Sequence, residues 1–227
     1  MTAPTDPAKA PIRLAVVDDD PLVRVGLTML LAEASDIEVV AQAADGAEVE
    51  SMVDAHRLDV VLMDIRMPRL DGLTATQRLR ARPNAPQVIM LTTFDADEHI
   101  LRALRAGASG FLLKDTPPPE IVQAVRRVAA GDAMLSPSVA RTLIDHVADT
   151  EGTAARRARA RARLDQLSER ELAVAIALGK GRSNTEVGAE LHVSVATVKA
   201  YVSRLLTKLE LNNRIQVALL VHDADLI

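Results

Sequence analysis

The sequence predicts an α/β fold, a doubly wound parallel sheet of five strands, followed by an all-α domain of four helices. Three observations carry this. Short apolar runs alternate with amphipathic stretches five times between residues 12 and 130. One run, Val60-Val61-Leu62-Met63, is apolar without alternation, as a strand buried on both faces must be. Beyond residue 163 such runs stop, and Ser-x-x-Glu signals introduce helices instead.

In order, Ile12–Val17 reads as the first strand and ends in Asp18-Asp19-Asp20-Pro21. Pro21 suits the first turn of a helix and Asp20 its N-cap. Leu22, Val25, Leu27, Leu30 and Leu31 follow at roughly helical spacing. Ile37–Ala43 reads as strand and Ala47–Ala55 as helix; the third strand then closes on Asp64, and Pro68 turns the chain into a loop. Gly72–Ala81 is helical, Gln87–Leu91 strand, Asp95–Ala106 helical, Gly110–Leu113 strand and Pro119–Ala130 helical.

Composition narrows the classes. Hydrophobic residues make up 48% of the 227 but aromatics only 1%, so aliphatic side chains must fill the cores. The absence of cysteine excludes disulfides and thiolate metal sites. The polar, Ala/Pro-rich start lacks a signal-like apolar region, and no apolar run approaches the roughly 20 residues of a membrane span, so a soluble, cytoplasmic protein is expected. A net charge of −4 argues against a generally basic nucleic-acid binder but leaves room for a local basic face.

Four strands end in functional residue types: Asp18 and Asp19, Asp64, Thr92, and Lys114. A parallel sheet brings these ends to one edge, where α/β proteins bind ligands. Taken singly, each has a plainer role: helix cap for an Asp, strand residue for Thr92, solvated charge for Lys114. Together, three carboxylates repel one another and require a cation or a proton between them. Mg²⁺, a hard ion that takes carboxylates, water and phosphate oxygens, fits such a set.

Asp18-Asp19, the strand leading to Asp64, Met67-Pro68-x-x-Asp71-Gly72, Leu91-Thr92 and Gly107–Lys114 resemble, in order and spacing, the receiver domain of two-component response regulators, a flavodoxin-like fold. The resemblance implies that Asp64 accepts a phosphoryl group from a sensor histidine kinase. It implies Mg²⁺ bound by Asp19, Asp64 and the backbone carbonyl of Arg66, with Asp18 acting through water. It assigns Lys114 and Thr92 to the phosphoryl oxygens and makes Thr92 and Phe111 the switch pair. Where many receivers carry Pro after the Lys, Asp115 stands here, followed by Thr116-Pro117-Pro118-Pro119.

Residues 131–163 read as a helical or flexible linker between a receiver at 12–130 and a DNA-binding domain at 164–227. Val139–Val147 has helical spacing, and Arg156, Arg157, Arg159, Arg161 and Arg163 are interleaved with Ala. That run suits either a partly helical, solvated linker or a phosphate-contacting arm. Ser168 with Glu171, and Ser183 with Glu186, form two capping boxes. The second opens a short helix joined by His192–Val195 to another from Ala196 to about Leu209, the layout of a helix-turn-helix. The segment His192–Lys208 contains Lys199, Arg204 and Lys208 and no acidic residue.

Leu167-Ser168-x-Arg170-Glu171, Gly181-x-Ser183-Asn184-x-Glu186, Ser194-x-x-Thr197-Val198-Lys199 and Lys208-Leu209 resemble the LuxR/NarL-type DNA-binding domain. The resemblance implies that Lys199, Ala200 and Ser203 face base edges of double-stranded DNA and that Thr197 and Arg204 contact phosphates. It also implies a homodimer through the last helix, Asn213–Val221. The whole chain thus reads as a transcription regulator switched by phosphorylation, with no enzymatic role beyond its own phosphoryl transfer and dephosphorylation. Two alternatives are a receiver that acts without phosphorylation and a phosphatase with an aspartyl-phosphate intermediate. The latter wants a second carboxylate two residues after the nucleophile, where Arg66 stands.

Overall fold

A computed structural model describes residues 10–92, 97–135 and 154–227. The N-terminal region contains β1 (Ile12–Val17), α1 (Pro21–Ala32), β2 (Ile37–Ala43), α2 (Val49–Ala55), β3 (Val60–Asp64), α3 (Gly72–Arg80), β4 (Gln87–Thr92), α4 (Asp97–Ala106), β5 (Gly110–Leu113), α5 (Pro118–Ala129) and β6 (Met134–Leu135). A 3₁₀ turn, Gly46–Glu48, precedes α2 and takes up the start of the helix expected from Ala47. The sheet runs β2-β1-β3-β4-β5-β6, all parallel. The five expected strands are present. The sixth, two residues added beside Gly110 and Phe111, is too short to show a pattern in the sequence.

Covering both faces of this sheet explains its unbroken apolar strands. Period-two alternation sends Ala15, Val17, Val61, Met63, Val88, Met90 and Phe111 to one face, against Met52, Leu73, Leu79 and Leu104. Leu14, Val16, Val60, Leu62, Ile89 and Leu91 go to the other, against Leu27 and Leu31 of α1 and Ile121, Val125 and Val128 of α5. All five residues of β3, the central strand, are buried. Asp20 caps α1 as expected, its carboxylate accepting from Leu22 N at 2.8 Å.

The C-terminal region consists of α6 (Ala154–Leu164), α7 (Glu169–Gly179), α8 (Asn184–Leu191), α9 (Val195–Lys208) and α10 (Arg214–Asp223). Both capping boxes are formed, at Ser168/Glu171 and Ser183/Glu186. Their common core joins Val174 and Leu178 of α7, Val187 of α8, Val198 and Leu205 of α9, and Val217 and Val221 of α10. Ala160 and Leu164 of α6 enter that same core. The arginine-rich run is therefore helical here. Arg156 and Arg157 pair with Asp223 and Asp225, while Arg161 and Arg163 donate to the carbonyls of Ala224 and Leu209, just past the ends of α10 and α9. The helix expected at Val139–Val147 lies outside the described residues. Among those described, no helix is long and apolar enough to cross a membrane.

The two regions touch through polar groups. Asn213 is buried, and its side-chain amide donates to the carbonyls of Leu104 (3.0 Å) and Ala108 (2.8 Å), at the end of α4. Gln216 donates to Leu104 and Arg105, and Arg80 donates to the carbonyl of Asn212. Arg214 pairs with Asp132 at 2.7 Å, and the Asn184 amide reaches the Ala130 carbonyl at 3.1 Å. Ile215 joins the apolar cluster that holds Phe111.

The first capping box yields a pH dependence. Hydrogen bonds from Ser168, then the ion pair with Lys208 at 3.0 Å, hold the Glu171 carboxyl at about 2, against an ordinary 4.5. A carboxyl depressed by folding adds stability that is complete above 4.5 and is lost as the pH falls toward 2. Glu171→Gln removes that contribution. Acid melting of the C-terminal helices, followed by circular dichroism between about pH 5 and about pH 2, should be less steep in the variant than in the wild type.

Candidate functional site

The site forms because four parallel strands deliver their carboxyl ends to one edge. β1 ends before Asp18 and Asp19, β3 on Asp64, β4 on Thr92, and β5 just before Lys114. Oxygen atoms of Asp18, Asp19 and Asp64 lie within 4.8 Å of one another. Asp18 and Asp64 are buried and Asp19 is exposed, so the cluster has one open side.

Lys114 bridges the two buried carboxylates, its Nζ 2.6 Å from Asp18 Oδ2 and 3.0 Å from Asp64 Oδ1. Its backbone is set by the hydrogen bond from Lys114 N to the Thr92 carbonyl, 2.8 Å, which continues the β4–β5 ladder. Burial pushes the Asp64 carboxyl above its ordinary value, even though Lys114 and the Arg66 N–H work in the opposite direction. Burial also works to depress the Lys114 ammonium, but the two carboxylates prevail and raise it. Three carboxylates and one ammonium leave two negative charges in excess when all are ionised.

That excess, and the donor set, fit a hard divalent cation. Asp18 Oδ2 accepts no hydrogen bond of regular geometry and is held by the ammonium's charge. Asp64 Oδ2 accepts from Arg66 N at 3.0 Å, which fixes the start of the loop after β3. That loop, with Asp19, lines an open cleft of about 500 Å³ bounded by Ile65, Met67, Pro68 and Arg102. The cluster is thus a place where a metal can bind, and its open side, at Asp19, faces that cleft.

Thr92 and Phe111 are both buried beside this edge. Phe111 shares its cluster with Leu104, on α4, and with Ile215, on α10. On α9, Lys199, Ala200, Ser203 and Arg204 are exposed, and Thr197 is half-buried with its hydroxyl 2.8 Å from that of Ser194. Arg204 stands 5.2 Å over the Tyr201 ring. Lys208, counted into the basic face from the sequence, is instead committed to Glu171. Lys199 and Ser203 open onto a cleft of about 330 Å³ whose opposite wall includes Arg80, Arg82 and Asp132. Sequence reasoning missed that wall and the Asn213 contacts. Asn213, read from the sequence as the first residue of the last helix, is its N-cap, accepting from Gln216 N at 2.8 Å.

Comparison with known proteins agrees with both halves. Residues 14–126 match the family model described as response regulator receiver domain, and residues 165–221 the one described as bacterial regulatory proteins, luxR family. The chain is 35% identical over 219 residues to the response regulator protein VraR of Staphylococcus aureus, covering 95% of this chain and 99% of that one. It is 36% identical over 208 residues to YhcZ of Bacillus subtilis, described as an uncharacterized transcriptional regulatory protein, covering 92% and 94%. Among solved structures, the response regulator ChrA of a heme-sensing two-component system is similar with a TM-score of 0.52 and 36% identity, over 96% of this chain and 100% of that one.

Proposed function

The chain belongs to the two-component response regulators with a receiver and a LuxR-type DNA-binding domain, and we propose that Mg²⁺-dependent phosphorylation of Asp64 by a sensor histidine kinase switches its binding to DNA. The sequence divides the chain into a receiver at 12–130, a linker at 131–163 and a DNA-binding domain at 164–227; because β6 extends the receiver's sheet to Leu135 and α6 packs into the C-terminal core, the linker proposed narrows to the stretch between β6 and α6, in a protein acting in the cytoplasm. The observation that carries the reading is the Lys114 ammonium held between Asp18 and Asp64 at an acidic sheet edge with one open side.

An Asp64 oxygen attacks the phosphorus of a phosphohistidine, the P–O bond forms as the P–N bond breaks, and the imidazole leaves with the electron pair and takes up a proton. Asp19, Asp64, the Arg66 carbonyl and, through water, Asp18 would hold Mg²⁺, which supplies charge neutralisation for the phosphoryl oxygens. Lys114 meets the same oxygens and balances the buried charge. Thr92 donates its hydroxyl to the phosphoryl group once it is attached, and Phe111 follows the movement.

DNA reading falls to Lys199, Ala200 and Ser203, with Thr197 and Arg204 on phosphates. In the arrangement described, Lys199 and Ser203 face the receiver, and the start of α10 is tied to α4. That state neither reads DNA nor offers α10 whole to a second copy, so it is the resting one. Movement of Thr92 and Phe111 shifts the packing against Leu104, loosens the hold on Asn213 and frees a homodimer for two half-sites.

Two experiments test this. Acetyl phosphate with Mg²⁺ should label the wild type at Asp64, and Asp64→Asn should take up none; equal labelling of the variant would sink the assignment. Asn213→Asp keeps an oxygen to cap α10 but gives up both amide donors to α4. Its unphosphorylated form should bind selected DNA about tenfold more tightly than the wild type, a gain of about 1.4 kcal/mol from a larger open population. Gel-shift titration reads this, and unchanged affinity would disprove the latch.

A further inference from the structure

Asp45 is a buried carboxylate that the phosphoryl site as described leaves without a role. It precedes the 3₁₀ turn and caps it, Oδ1 accepting from Ala47 N at 2.9 Å. A cap needs no more than that. Yet Asp45 Oδ2 also accepts from Arg69 N at 2.8 Å, and Oδ1 from Leu70 N at 3.2 Å. Both donors belong to the loop between β3 and α3, the loop that carries Arg66 and walls the cleft beside Asp19. Burial works to raise the Asp45 carboxyl, but the backbone donors prevail and lower it, so it takes these bonds as a carboxylate.

The loop has little slack at either end. At its base, Gly72 N donates to the Ile65 carbonyl at 2.9 Å, and a Cβ on Gly72 would stand 1.9 Å from the Asp64 carbonyl oxygen. At its far side, a Cβ on Gly46 would stand 2.4 Å from the Leu70 carbonyl oxygen. Asp45 and Gly46 therefore grip the loop's outer half, while β3 grips its base. By contrast, the ion pair from Arg69 to Glu48 is exposed on both sides and adds little constraint.

We propose that Asp45 is a positioning residue for the phosphoryl site, fixing the backbone of the loop that bears Arg66 so that the cation and the incoming phosphoryl group meet a preformed wall. This rests on the reading of Asp64 as phosphoacceptor. Partners that orient metal ligands from outside typically change affinity 10- to 100-fold when removed, and the loss here should fall near the lower end.

Asp45→Ser keeps a capping oxygen for Ala47 but is too short to hold the loop; Asp45→Asn keeps the reach and an acceptor. In the full-length protein, calorimetric titration with Mg²⁺ should give about tenfold weaker binding for Asp45→Ser, a smaller loss for Asp45→Asn, whose single oxygen can serve only part of the donor set, and no change for Glu48→Gln. Acetyl phosphate labelling of Asp45→Ser should be slow at limiting Mg²⁺ and recover at saturating Mg²⁺. A purely structural role would lower the melting temperature without moving Mg²⁺ affinity in the folded protein. Wild-type Mg²⁺ affinity and labelling in folded Asp45→Ser would overturn the proposal. If Asp45→Ser does not fold, Asp45→Asn decides: Mg²⁺ binding weaker than the wild type supports the proposal, and wild-type binding overturns it. A wild type that binds Mg²⁺ but is not labelled at Asp64 would instead remove the phosphoacceptor reading, and this inference with it.

Discussion

The Lys114 ammonium, placed between Asp18 and Asp64, is the interaction on which the rest depends. Two buried carboxylates within 4.8 Å of each other would be strongly unfavourable without it, since charge taken out of water must be paired. One ammonium offsets only part of the acidic charge that Asp18, Asp19 and Asp64 bring together. The remainder leaves room for a divalent cation, which under the proposed function would make the edge tolerant of a phosphoryl group. Only a parallel sheet with β1, β3 and β5 in these positions gathers the three strand ends. The architecture and the chemistry are therefore one constraint.

The same edge is mechanically connected to the C-terminal helices. Thr92 ends β4, and Phe111 on β5 shares an apolar cluster with Leu104 and Ile215. Leu104 also offers its carbonyl to both Asn213 and Gln216. A polar latch of this kind is specific in position, because a carbonyl pulled from its buried donor leaves both groups unsatisfied. Close-packed interiors do not deform continuously, so a small displacement near Phe111 is more readily passed on than absorbed.

Much of this was legible in the residues. Val60–Met63 announced a strand buried on both faces, and the order of strand-end residues placed Asp64, Asp18, Asp19, Thr92 and Lys114 together. Ser168/Glu171 and Ser183/Glu186 announced their helices because capping is a local interaction. What stayed hidden is long-range. Asp45 looks like any turn carboxylate until Arg69 and Leu70 are seen against it. Asn213 reads as the first residue of the last helix, and its side-chain amide finds the end of α4 only in the folded chain. The arginines of α6 gave no sign that their partners would be the ends of α9 and α10.

Under the proposed function, phosphorylation at Asp64 separates the receiver from the DNA-binding helices. The chain has no cysteine, so Glu33→Cys and Arg170→Cys, both exposed and one in each domain, give a clean pair for spin labels. Pulsed dipolar distance measurement should show one short, narrow distribution at rest. Acetyl phosphate with Mg²⁺ should replace it with a longer, broader one, and an Asp64→Asn background should block the change. An unaltered distribution in phosphorylated protein that has nonetheless gained affinity for DNA would show that activation needs no such separation.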